Sequence, residues 1–261
     1  MTIYKATISY KGTNYFGWQV QPDQKTIQGE LNSSLAKICK CDLSEVKTLG
    51  SGRTDAGVHA HGQVVKIEIP IKLPDEGLLN ALNSFLPKDI RVRDVCELES
   101  DFHPTMDAKD KTYHYYFTNG DDLRSPFSND VVAHFKGKLD LDLIKKACTL
   151  FEGTHDFQNF RTVGTDVKTT ERTIYEIILT ECVDNKITSE QIYCLSFKGS
   201  GFLKQMVRLL VGTIISYGQQ RITEAQIKQY LSESKEDKLA PVAPAEGLFL
   251  MNVNYTKAPS D

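Results

Sequence analysis

Thr2-Ile3-Tyr4-Lys5-Ala6-Thr7-Ile8-Ser9-Tyr10 alternates with the period of two that marks a strand. Over 26–40 the period changes: Ile27, Leu31, Leu35 and Ile38 recur at helical spacing. Outward from this opening, the pattern predicts strands near 46–50 and 63–69, a helix over 75–86 and a strand over 90–98. A second run follows, with a strand at 112–118, a helix at 141–151, strands at 173–181 and 191–198, a helix at 203–217 and a strand at 248–255. A short extra helix is expected at 224–232. Each half reads β-α-β-β-α-β, the ferredoxin-like order. The expected class is α+β: two such halves with largely antiparallel sheets and helices on one face. They are expected to cover 1–105 and 106–261, with a boundary near 99–110. A cleft between halves is the default place for a large ligand.

The 261 residues are 40% hydrophobic and 25% charged, an ordinary globular composition. No stretch approaches the roughly 18 uninterrupted apolar residues of a membrane span. The opening residues lack the regions of a signal peptide, so a cytoplasmic protein is expected. Six cysteines without repeated spacing read as reduced thiols. A net charge of −3 argues against a wholly basic nucleic-acid binder but permits a local basic groove. The acids cluster at 97–101 and 233–237, whereas 198–208 carries Lys198, Lys204 and Arg208 without an acid.

One loop stands out: Gly52-Arg53-Thr54-Asp55-Ala56-Gly57-Val58-His59. Its glycines keep it thin enough for a bulky partner to approach. An arginine two residues away favours an ionised carboxylate. An ionised, rigidly held Asp suits a nucleophile or a proton acceptor. Taken alone, Asp-Ala-Gly is also an ordinary turn. His59 and His61 near Asp55 permit a metal-dependent hydrolase, but a fixed third ligand is missing and no metal is expected. Position 55 is Asp where a dinucleotide motif needs glycine.

The whole octapeptide resembles the signature of the tRNA pseudouridine synthase A family. Likeness extends along nearly the whole chain: Tyr10-Lys11-Gly12, Phe16-Gly17-Trp18-Gln19, Gly62-Gln63-Val64-Val65, Lys111-Thr112-Tyr113-His114-Tyr115, Arg172-Thr173-Ile174, Met206-Val207-Arg208 and Ala243 to Leu248. The resemblance implies a pseudouridine synthase fold and a cofactor-free isomerase acting on the anticodon stem-loop of tRNA, at positions 38 to 40. It also implies a homodimer. It makes Asp55 the catalytic carboxylate, with the choice between covalent addition and proton removal from the ribose left open. A paired uridine must leave the stack before it is reached; Arg53 then fills the vacated space or binds the adjoining phosphate. Tyr113 matches the tyrosine lying against the target base, and Arg208 the arginine that pairs with the catalytic carboxylate. Leu248 matches an apolar residue bordering the uracil pocket.

The residues add their own reading. Alternation puts Tyr113, Tyr115 and Phe117 on one strand face, the last two as core. Lys204 and Arg208 are expected on one helix beside an apolar stripe of Leu203, Met206, Val207, Leu210, Val211 and Ile214, with Lys204 as a tRNA-phosphate contact. The main rival is a catalytically silent tRNA-binding module, against which the joint presence of Asp55, Tyr113 and Arg208 argues.

Overall fold

The computed structural model describes residues 1–98, 102–120, 125–162, 167–182, 191–235 and 237–255. Along the chain, β1 (Thr2–Tyr10) leads to α1 (Ile27–Cys39), β2 (Lys47–Gly50), β3 (His59–Ile69), α2 (Asp75–Phe85) and β4 (Ile90–Glu97). Then come β5 (Ala108–Asn119), β6 (Ala133–Phe135), α3 (Leu141–Phe151), β7 (Gly153–Asp156) and β8 (Glu171–Cys182). The chain ends with β9 (Ile192–Gly199), α4 (Met206–Gly218), α5 (Glu224–Ser232) and β10 (Leu248–Tyr255). The expected α+β class and largely antiparallel pairing are present. Of the two acidic runs, residues 99–101 and 236 lie outside the described residues, as does part of the expected 99–110 boundary. No helix among the described residues is long and apolar enough to cross a membrane.

The chain groups into two compact units, Met1–Lys109 with the segment from Phe249, and Asp110–Leu248. In the first, β1 pairs antiparallel with β4 on one side and β3 on the other. Strand β3 is long enough to take two partners along its outer edge. Its 65–68 segment pairs with β2, while His59 and Ala60 align in parallel with Phe249 and Leu250 of β10. The period-two pattern of β1 is realised: Tyr4, Ala6 and Ile8 are fully buried. So are Ile27, Leu31 and Leu35 of α1 and Leu78 and Leu82 of α2. Each such aliphatic side chain contributes about 1.5–3 kcal/mol on burial. Thr26 caps α1 by accepting the Gly29 N–H at 3.2 Å.

In the second unit the strand order is β5-β9-β8-β7, antiparallel throughout, with β6 added in parallel to β5. Helix α3 packs on α4 and on β8. Every residue of α4 except Arg208 is buried. A helix apolar all round belongs inside a core.

Four details differ from the sequence expectation. β6 is too short, and β7 too short and too polar, to show a period, and each pairs with a longer strand, β5 and β8 respectively. β3 begins four residues early, because His59 is a fully buried ring stacked 4.5 Å from Phe249 and not a loop histidine. α4 begins at Met206, since Gln205 holds a left-handed backbone with φ 61°. Lys204 is therefore not on that helix with Arg208, and Leu203 is buried in the turn before it.

Candidate active site

The loop 51–58 joins β2 to β3, and its backbone is tied down at nearly every step. Ser51 N–H donates to Val64 O at 2.8 Å, Trp18 N–H to Thr54 O at 3.0 Å, Gly57 N–H to Tyr15 O at 3.3 Å and Val58 N–H to Asp55 O at 3.1 Å. Gln63 closes the base: it accepts the Ser51 hydroxyl at 2.7 Å and donates to Gly52 O at 2.7 Å. Thr54 is the inward anchor, buried with its hydroxyl 2.8 Å from that of Tyr10. Of the charged residues beside it, Arg53 is exposed and Asp55 half-buried.

Glycines in the segment after β1 allow this clamp. A Cβ at Gly12 would lie 2.0 Å from Val58 O, and one at Gly17 would lie 2.5 Å from Thr54 O. Gly17 also has φ +88°, a conformation that suits glycine. Two backbones thus lie in direct contact, and Asp55 rides on a doubly supported loop. Such support is what positions a reacting group to within a fraction of an ångström.

The histidines have other duties. His59 Nδ1 accepts the Gly12 N–H at 3.0 Å, so that lone pair is engaged. His61 stacks on Phe249 at 5.6 Å, and burial, then the nearby Arg93 charge, lowers its pKa. Among the described residues no group of three His, Cys, Asp or Glu side chains is placed to hold a metal ion.

Tyr113, Lys204, Arg208 and Leu248 belong to the second unit. Tyr113 is 7% exposed and meets Phe202 edge-on at 5.2 Å, while Tyr115 and Phe117 on the same face are fully buried core. Arg208 is the one residue of α4 that is not buried. Its Nε donates to Ala243 O at 2.8 Å, and its carbonyl accepts the Ala243 N–H at 3.1 Å. The same strap continues through Pro244 O, which accepts the Tyr115 hydroxyl at 2.9 Å, and Gly247 O, which accepts the Tyr116 N–H at 2.8 Å. It ends at buried Leu248, whose N–H returns to Ala245 O at 3.0 Å. Residues 243–248 therefore link the strand of Tyr113, the helix of Arg208 and Leu248. Lys204 stays exposed, with its carbonyl accepting the Thr162 N–H at 3.1 Å.

The sequence reading missed two participants. Thr162 holds the left-handed Gln205, its hydroxyl donating to Gln205 Oε1 at 2.5 Å, and so fixes the entry into the Arg208 helix. Lys111, on the buried face two residues before Tyr113, is the other: it opens the Lys111–Tyr115 block, where nothing signals its burial, and Thr162 has no motif. Burial, then the charge of Arg172, pushes the Lys111 ammonium down to about 8. The native state thus holds fewer protons there than the unfolded chain between that value and 10.5. The penalty of the buried charge is fully present below the lower value and fades as pH rises through the window. Urea unfolding of K111M beside the parent should show the difference moving in the parent's favour from neutral pH to pH about 10. Parallel curves would contradict this.

Comparison with known proteins gives these features a family. The family model for tRNA pseudouridine synthase matches residues 6–107 and 147–256, both the Asp55 loop and the Arg208 helix included. A tRNA pseudouridine synthase A of Geobacter sp. (strain M21) is 41% identical over 96% of this chain and 98% of its own. Another, of Lacticaseibacillus casei (strain BL23), is 39% identical over 98% of this chain and 100% of its own. A third, of Thermosipho melanesiensis, is 37% identical over 98% and 100%. The chain belongs to the tRNA pseudouridine synthase family and is an isomerase.

Proposed function

We propose that the protein isomerises uridines 38, 39 and 40 in the anticodon stem-loop of tRNA, with Asp55 as the catalytic carboxylate acting on a flipped base. The observation that carries this reading is the Asp55 loop. Its backbone is fixed from both flanks by β3 and by the segment after β1, and it carries an exposed Arg53 beside a half-buried Asp55. Isomerisation breaks the N1 glycosidic bond, turns the base and rejoins it through C5, with no net redox change and no external group. A cofactor is accordingly not expected. Arg53 enters the space left by the base or holds the adjoining phosphate. Tyr113 lies against the base, where an aromatic face stacks and a hydroxyl is available for proton transfer. Leu248 borders the uracil, and Lys204 contacts tRNA phosphate. A cytoplasmic homodimer is the expected form.

The site of modification is tested with tRNA transcripts carrying uridine or cytidine at 38, 39 and 40. Product should require a uridine at one of them, and modification persisting in the all-cytidine transcript would overturn the assignment.

Arg208 is read as a planar fork that holds a carboxylate bidentately. Arg208→Lys keeps the charge and loses the fork. Turnover at saturating tRNA should fall by about a hundred-fold, a loss of roughly 2.7 kcal/mol. The slope of log affinity against log salt should hardly change. Lys204→Ala should do the opposite, reducing that slope by about one while sparing turnover. Near-normal turnover in Arg208→Lys would return Arg208 to a phosphate contact or to the strap alone.

A further inference from the structure

Phe16 departs from its own segment. Its neighbours Tyr15 and Trp18 are each 3% exposed, whereas Phe16 is 55% exposed. Its backbone is held: the N–H donates to Lys25 O at 2.9 Å, and the carbonyl accepts Gln21 Nε2 at 2.8 Å. On either side, Tyr15 O takes the Gly57 N–H and the Trp18 N–H reaches Thr54 O, so the bonds that bracket Phe16 also bracket Asp55. Gly17, the next residue, presses against the Thr54 and Asp55 backbone. The Phe16 backbone is thus tied to the Asp55 loop by short covalent and hydrogen-bonded links, while its ring meets solvent.

A single exposed aromatic residue ordinarily needs no explanation. This one is fixed to the loop that carries the carboxylate, among groups suited to one class of partner. Arg53 and Lys25 are exposed cations on the same two segments, with Lys25 Nζ 4.8 Å over the Tyr15 ring. Gln19 and Gln21 are exposed amides, and Asp23 is the one exposed acid of the turn. An aromatic face beside cations is how a protein holds unpaired nucleobases, by stacking on the base and neutralising its phosphate.

We propose that Phe16 is a stacking platform for an unpaired base of the RNA next to the uridine over Asp55, with Lys25 and Arg53 on the adjoining phosphates. The proposal rests on the reading of Asp55 given above.

The test compares Phe16→Ala, Phe16→Leu and Phe16→Tyr in the full chain, using anticodon stem-loop tRNA. Ala and Leu should each weaken tRNA binding and raise KM by roughly ten-fold, and Tyr should stay near the parent, because a π face is needed and not mere apolar bulk. Melting temperatures should be unchanged in all three, since the ring packs in solvent. Phe16→Trp supplies a spectroscopic readout: its added fluorescence should be quenched as tRNA saturates. The parent, whose single tryptophan Trp18 is 3% exposed, should show no such quenching. Leu binding as well as Tyr, or an unquenched Trp at saturation, would overturn the platform. Failure here is separable from failure of the site reading. An inactive Asp55→Asn beside a Phe16→Ala that binds like the parent refutes the platform alone, whereas an active Asp55→Asn refutes both.

Discussion

Asp55→Asn should lower pseudouridine formation by at least about a thousand-fold, the range lost with a positioned acid–base or nucleophilic group. Asparagine has the size and shape of aspartate, and the loop backbone, Thr54 and Gln63 make bonds that fix the loop. The loop should keep its course, and tRNA affinity should change little. What goes is the charge, which leaves no anion to add to the substrate or to take a proton from the ribose. Single-turnover assays at saturating tRNA separate the two effects, because they report chemistry with binding removed. Residual turnover above about a tenth of the parent's would mean that another group is the catalytic carboxylate.

Gly12→Ala should be the most damaging change outside the charged residues. The added Cβ would meet the Val58 carbonyl oxygen at 2.0 Å, against backbone that has no rotamer to escape into. One of the two segments must move by more than an ångström. That also threatens the Gly12 N–H bond to His59 Nδ1. Overpacking of this kind costs about 1–3 kcal/mol, equivalent to a melting temperature lower by roughly 2–6 °C in a chain of this size. Val58 bonds back to Asp55 O, so the displacement reaches the carboxylate. Misplacement by about an ångström costs on the order of a hundred-fold in rate. Gly77→Ala serves as the control, since its Cβ would find only Pro74 at 3.7 Å and would lie within α2. It should leave rate and stability unharmed or slightly improved. Equal behaviour of the two variants, in calorimetry and in turnover, would refute the clamp.

How much of this was legible in the sequence follows from the range of each signal. Strand β1 and helices α1, α3 and α5 declare themselves through short periods that need no distant partner. The start of β3 does not, because His59 and His61 read as polar until Phe249 is stacked on them. Strand β7, too short and too polar to show a period, is visible in its pairing with β8. At α4 the apolar stripe was visible and the helix start was not. The left-handed Gln205 depends on Thr162, a residue distant in sequence. That cost the expectation that Lys204 and Arg208 share a helix. In the site, the Gly-Arg-Thr-Asp-Ala-Gly string singled out Asp55, and its partners Gly12, Gly17 and Gln63 were visible only as separate motifs. What joins them is contact between backbones, and a linear sequence does not carry it.

The function proposed for this chain is pseudouridine formation in the anticodon arm through Asp55. The most direct measurement is pseudouridine mapping, at nucleotide resolution, on unmodified tRNA incubated with the purified protein and no added cofactor, with Asp55→Asn alongside. The expected result is new pseudouridine at positions 38 to 40 with the parent protein and none with the variant. Pseudouridine elsewhere in the tRNA, or equal modification by both proteins, would contradict it.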